Sequence, residues 1–231
     1  MNRMDVLHLT FGVSREGAEQ LERFVERVEQ APMNLTAWRG DTLWERGVYD
    51  SLALGVYLGD GVGRALDIGS GGGFPGMVLA VRYPEVQWVL LDSRERRCGF
   101  LLETARHIGL VNVEVVQARA EQWVREGEGC REAFDAVTMR AVAPLGVSLE
   151  LGLPYVRQGG RLLMAQGPGG PQEFQQHDLL LRELGGNLFG WHTGMYQRND
   201  GHADLFLVIE KVRRTPEAFP RGAKNLGERT V

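Results

Sequence analysis

Asp67, Gly69, Gly71, Gly73 and Asp92 are the residues of this 231-residue chain whose types and spacing could do chemistry. The stretch ALDIGSGGGFPG, residues 65–76, joins a short apolar strand to a glycine-packed turn and then to a helix start. Without side chains at Gly69, Gly71 and Gly73, the turn can take positive φ and a ligand can lie against the backbone. Pro75 suits the first helical turn, where an N–H has no helical partner. Gly71, Gly73 and Gly76 match the dinucleotide pattern G-x-G-x-x-G letter for letter, so a nicotinamide cofactor is one candidate. Asp67, just before the first glycine, tilts the choice towards S-adenosylmethionine. A carboxylate there disfavours a pyrophosphate at the helix N-terminus but suits a ligand that carries an ammonium and a sulfonium. VQWVLLD, residues 86–92, reads as a second buried strand ending in an acid 23 residues after Gly69. Asp92 can take both ribose hydroxyls. Both candidates share that ribose, so Asp92 supports an adenosine ligand without choosing between them.

The elements that must hold these residues read as one α/β unit. Strands are predicted at 64–69, 86–91, 113–117, 134–139 and 160–165, alternating with helices at 75–83, 94–108, 119–126 and 144–156, the pattern of a mostly parallel sheet covered on both faces. A helix near 172–185 precedes two last strands near 188–196 and 203–211. Ahead of the sheet, an amphipathic helix over 14–30, N-capped by Ser14, turns Leu21, Phe24, Val25 and Val28 to one face. A second, over 42–58, puts Trp44, Val48, Leu52 and Val56 inward. The chain thus divides into a helical appendage (1–60), a sheet domain (61–212) and a basic tail (213–231). In such a sheet the ligand lies outside the carboxyl ends of the strands. That rule selects Asp92, Ser93 and Arg94 after strand two, residues 118–121 after strand three, and Arg140, Ala141 and Pro144 after strand four. Arg96 and Arg97, inside a helix, read as a solvated face.

Composition sets bounds. With 43% hydrophobic and 24% charged residues the chain has ordinary globular content and enough apolar mass for a sizeable core. Its longest apolar runs fall short of the roughly 18 residues of a membrane span, and MNRMDVLHLTFG lacks the apolar core of a signal peptide. A cytoplasmic location without membrane attachment is the expectation. Cys98 and Cys130, far apart and outside any C-x-x-C, suggest neither a disulfide framework nor a metal site, and Cys98 reads as a packing residue. The net charge of −4 argues against a protein that coats nucleic acid by bulk electrostatics. The last 21 residues nevertheless hold six basic side chains (Lys211, Arg213, Arg214, Arg221, Lys224, Arg229) against two acidic ones, so a basic tail follows a body near −8.

Asp50-Ser51, GSGGGFPG, LLDSRERR, ARAE and MRAVAPL occur in that order, flanked by MNLT (33–36) and FPRGAK (219–224). With these motifs the chain resembles the glucose-inhibited division protein B family, the small-subunit ribosomal RNA N7-guanine methyltransferases, from about Leu35 onward. The resemblance implies an S-adenosylmethionine-dependent methyltransferase fold, Rossmann-like, with a seven-stranded mostly parallel sheet whose last strand is antiparallel. It implies ribosomal RNA in the small subunit as partner and methyl transfer to N7 of one guanosine. Carried over by motif, Gly69 and Phe74 would line the cofactor site, Asp92 and Ser93 would meet the ribose, and Ala120 and Glu121 would lie beside the adenine. Arg140 would sit at the mouth shared by cofactor and substrate. Three positions depart from the family. Gly47 stands where a histidine is usual, Gln166 where a lysine is usual, and Ala203-Asp204 where an Arg-His pair opens the final strand. Each change removes a cation or a potential one, and all lie outside the cofactor motifs.

Guanine N7 has a lone pair and no proton, so its methylation needs no general base, and catalysis reduces to in-line positioning. His8, His107, His177, His192 and His202 are accordingly scattered. Arg140 could meet the guanine acceptor edge or a phosphate, or else close the site through a salt bridge. Phe74 and Trp123 are the aromatics considered for base stacking, Trp123 with a core position as its competing role. Two other readings stand beside the methyltransferase: a nicotinamide-dependent oxidoreductase, and a cofactor-binding relative whose RNA substrate is lost or altered.

Overall fold

A computed structural model describes residues 2–197, 203–222 and Leu226. Its centre is a seven-stranded sheet in the order β3-β2-β1-β4-β5-β7-β6. The strands are β1 (Arg64–Ile68), β2 (Gln87–Asp92), β3 (Val113–Gln117), β4 (Phe134–Arg140), β5 (Val156–Gln166), β6 (Gly186–Gln197) and β7 (Ala203–Lys211). The first five pair in parallel, while β7 runs antiparallel to both β5 and β6. Alternation along the strands divides the core, as a period of two requires. Leu66, Ile68, Val89, Leu91, Val137 and Met139 enter one cluster; Ala65, Trp88, Ala136 and Leu163 face the other way.

The helices follow from punctuation in the chain. Helix α1 covers residues 3–10, a segment to which the sequence assigned no element. Helix α2 (Arg15–Glu29) is capped by the Ser14 hydroxyl, which accepts the Gly17 N–H at 3.0 Å. Helix α3 covers residues 40–55. Helix α4 (Gly76–Arg82) starts directly after Pro75, and α5 (Glu95–Ile108) stops at Gly109 in the left-handed conformation. Helices α6 (Ala120–Glu126) and α7 (Leu145–Gly152) complete the alternation. In place of one helix over 172–185 there are two, α8 (Gly170–Phe174) and α9 (Asp178–Glu183). The turn between them lets Phe174 meet Trp191 edge-on at 5.8 Å while Leu180 and Leu181 enter the core. Strand β5 begins at Val156 rather than near 160. Val56, expected inward, is 69% exposed because α3 ends one residue earlier.

Helices α1 to α3 share one hydrophobic cluster with α4 and α5. Phe24 of α2 packs on Phe74 of the glycine turn with ring centroids 5.0 Å apart. The N-terminal helices therefore build one wall of the region where the ligand must bind.

The segment from Lys211 to Arg221 is strapped to the sheet domain. Lys211 is fully buried, donating to the carbonyls of Leu153 (2.7 Å) and Val156 (3.1 Å) beside Glu132, and burial pulls its pKa down to about 8. Arg214 pairs with Glu132 at 3.0 Å and Arg221 with the buried Glu150 at 2.6 Å. Arg213 donates to the carbonyl of Arg182. The reading of the basic segment as a tail gives way, through Arg221, to a pinned strap; Lys224 and Arg229 lie outside the described residues.

Candidate active site

A cavity of about 510 Å³ opens at the carboxyl ends of β1, β4 and β5, within the size range of small-molecule sites. The glycine turn forms one end. It hangs from β2, with Gly69 N–H and Ser70 N–H donating to the Leu91 carbonyl at 2.7 and 3.1 Å. Gly69 and Gly71 have φ of +70° and +54°, a region that side chains rarely adopt. A Cβ on Gly69 would also lie 2.8 Å from Val142. Gly76 makes a different demand: a Cβ there would lie 2.4 Å from Leu90 and 2.6 Å from Asp67 Oδ2, so a side chain would push α4 off the sheet.

The other end is charged. Arg140, the last residue of β4, donates to the Arg46 carbonyl at 2.6 Å and to Asp204 Oδ2 at 3.2 Å. Arg46 grips both Asp204 oxygens, at 2.9 and 2.8 Å. Burial lowers the Arg140 pKa from its ordinary value, while Asp50 and Asp204 oppose the shift. Asp50 itself is buried, and desolvation pushes its pKa up to about 6 even though Arg140 favours its charge. One of its oxygens accepts the Met195 N–H at 3.2 Å. Ala141, next along, has φ of +52°, so backbone strain sits on the cavity wall.

Of the residues picked out from the sequence, Gly69, Gly71, Phe74 and Arg140 line this cavity. Asp67, Gly73, Asp92, Ser93, Ala120 and Glu121 do not. Asp67 is completely buried beneath the turn, accepting Gly76 N–H at 3.2 Å and the Thr138 hydroxyl at 2.8 Å. Desolvation pushes its pKa up to about 7. Its expected role as a carboxylate facing a cationic ligand is therefore replaced by support of the turn and the α4 N-terminus. Asp92 holds the turn from β2: Oδ2 accepts Gly71 N–H and Oδ1 accepts Arg94 N–H, both at 2.9 Å. Ser93 is exposed next to it, and Ala120 and Glu121 open α6, half-buried.

Two expectations are corrected, and the competing role of Trp123 decides. Arg97 is not on a solvated face, since its guanidinium turns to Asp92 at 3.6 Å and lines the cavity. The Phe74 ring is packed against Phe24 and under Gly47, whose Cβ would meet it at 2.9 Å, which leaves no face for a base. Trp123 packs against the core with Phe134 and Tyr155, as the core reading of that residue expected. The sequence reading missed Trp38, a half-buried indole on the cavity wall beside Arg46 and Arg140. Only the MNLT motif, which ends two residues before it, signalled that this loop belongs to the site. The three departures also acquire a physical reading. The space at Gly47 is filled by Phe74, Gln166 lines the cavity, and Asp204 anchors Arg46 so that two guanidiniums remain at the wall.

Among the described residues no histidine lines the cavity, no group of three or more His, Cys, Asp or Glu could hold a metal, and no helix is long and apolar enough to cross a membrane.

Comparison with solved structures supports the architecture. The chain is similar to the M. jannaschii protein TYW2, solved in complex with AdoMet, with a TM-score of 0.57 at 14% identity over 77% of this chain and 79% of that one. A mutein of the branched-chain polyamine synthase of Thermus thermophilus aligns with a TM-score of 0.63 at 18% identity over 90% and 68%. Among curated proteins, the ribosomal RNA small subunit methyltransferase G of Thermotoga neapolitana is 37% identical over 220 residues, 94% of this chain and 93% of that protein. The protein of the same name from Carboxydothermus hydrogenoformans is 36% identical over 216 residues, 91% of each. The family described as GidB, rRNA small subunit methyltransferase G, matches residues 17–187, and the chain belongs to that family.

Proposed function

We propose that this protein is an enzyme that transfers the methyl group of S-adenosylmethionine to N7 of a guanosine in small-subunit ribosomal RNA. The observation that carries the reading is a single cavity, at the strand ends of a methyltransferase-family chain, with the glycine turn at one end and Arg140, Arg46 and Asp204 at the other. The cavity fits such a cofactor: side chains are excluded at Gly69 and Gly71, and the adjoining volume accepts a molecule of that size. Gly69, Gly71 and Phe74 would hold it from the turn, while Asp92 and Ser93 at the ribose and Ala120 and Glu121 at the adenine would extend the site beyond the cavity wall. Asp67 and Gly73 would contribute by fixing the turn. When bound, the cofactor would supply an electrophilic methyl to the N7 lone pair, the C–S electron pair leaving with sulfur and the positive charge passing to the purine.

The chain's own work is placement. Arg140, held from two sides, orients the acceptor, and its N–H groups suit the O6 and N7 edge or a neighbouring phosphate. N7 has no proton to lose, so a cavity without histidine is adequate. A ribosomal substrate supports a cytoplasmic location.

The test is methyl incorporation into unmodified small subunits with excess enzyme and mapping of the product, alongside calorimetry with S-adenosylhomocysteine. Label on a guanine N7 is expected. Arg140→Ala should slow single-turnover transfer by 10-fold or more, an order-of-magnitude expectation for loss of a charged hydrogen bond, and leave cofactor affinity largely intact. Label on another base, or none at saturating cofactor, would overturn the reading and favour a cofactor-binding relative that no longer modifies RNA. Tight binding of NAD instead of S-adenosylhomocysteine would favour the oxidoreductase.

A further inference from the structure

We propose that Trp38 is the stacking platform for the acceptor base, an inference that rests on the methyl-transfer reading above. An in-line reaction requires the acceptor on the far side of the methyl group from the cofactor cradle, which is the end of the cavity that holds Trp38, Arg46 and Arg140. Among the described residues, the aromatic side chains on the cavity wall are Phe74 and Trp38. Phe74 is 8% exposed and packed on Phe24, so the half-buried Trp38 is the ring that can meet a base.

The loop presents the indole in a fixed way. Trp38 N–H donates to the Thr36 hydroxyl at 3.2 Å, and Arg39 clasps the carbonyls of Thr36 and Trp38, both at 2.7 Å. Arg46 and Arg140 lie over the ring at 5.0 and 4.5 Å from its centroid. Both guanidiniums also grip Asp204 Oδ2, at 2.8 and 3.2 Å, so one carboxylate ties the two cations together beside the indole. The part of the half-buried indole that is left open on the cavity wall receives the purine. The chemistry suits the reaction, because methylation at N7 makes the purine cationic and an indole face attracts a cation more strongly than a neutral ring. Trp38 would thus hold the product-like state more tightly than the ground state, the requirement for accelerating the chemical step.

The experiment compares the full-length protein with Trp38→Phe and Trp38→Leu in single-turnover methyl transfer to unmodified small subunits, together with S-adenosylhomocysteine affinity and melting temperature. Trp38→Leu should slow transfer by about 10- to 100-fold, the scale of one lost base–aromatic stack, with cofactor affinity unchanged. Trp38→Phe, which keeps a π face, should recover most of the rate. Equal rates in all three proteins, an equal loss in Phe and Leu, or a fall in cofactor affinity with Leu would each overturn the platform while leaving guanine methylation by the wild-type protein intact. Failure of the wild-type protein to methylate guanine would instead remove the reading on which the platform rests.

Discussion

Two buried carboxylates set how single residues respond to pH. Asp67 and Asp50 both have pKa values raised by burial, to about 7 and about 6. A carboxyl whose folded pKa is raised adds stability below its unfolded value near 3.8 and loses it as pH climbs through the folded value, because the unfolded chain releases its proton first. The melting temperature should therefore fall between about pH 4 and pH 7, apart from the contributions of other groups. Asp67→Asn keeps an acceptor for Gly76 N–H and a donor for Thr138 without the charge. Melting curves across that range should be flatter in the variant, with the variant melting higher at pH 8; parallel curves would refute the assignment. The sequence made Asp67 visible as an important acid but not its direction, because a strand residue's face depends on the register with β2 and β4. Trp38 was hidden for a related reason. It lies in a loop without periodicity, and only the folded path, with Leu35 against Gly72, carries it to the cavity.

At the scale of elements, the strongly patterned segments were legible and the irregular ones were not. Strands β1 to β4 and helices α2, α4 and α5 follow apolar periodicity between Gly and Pro signals, so their expected bounds are within about two residues of those observed. Helix α1 and the split between α8 and α9 escaped because their packing depends on distant partners, such as Trp191 for Phe174. Two helical glycines test how tightly these elements meet. Gly76→Ala would drive a methyl into Leu90 and Asp67, and overpacking of this kind costs about 1–3 kcal/mol, a drop of roughly 2–10 °C in melting temperature for a chain of this size. A Cβ on Gly99, within α5, meets nothing within 4 Å. Gly99→Ala should raise the melting temperature by about 1–3 °C through helix propensity. Calorimetric scans of the two variants should shift in opposite directions; a shift in the same direction would discount the contact argument.

For the whole molecule, the described basic side chains of the last segment, Lys211, Arg213, Arg214 and Arg221, are engaged internally with Glu132, Glu150 and backbone carbonyls. We propose that RNA attraction then falls to other exposed arginines, Arg39 next to Trp38, Arg94 after β2 and Arg96 in α5. Replacing these three with glutamine should flatten the salt dependence of subunit binding by up to about 0.7–0.9 in slope per lost phosphate contact. Replacing Arg213 and Arg214 should lower the melting temperature and leave that slope unchanged, and a slope that responds only to the second pair would reverse the assignment. The topology adds a constraint of timing. Strand β7 is the last strand made, yet it inserts between β5 and β6 and brings Asp204 to Arg46 and Arg140. While the chain is still emerging from a ribosome, the glycine cradle can be complete but the acceptor end cannot. An enzyme that acts on ribosomal RNA thus gains its acceptor end only once β7 has been made and paired, later than the cradle for its cofactor.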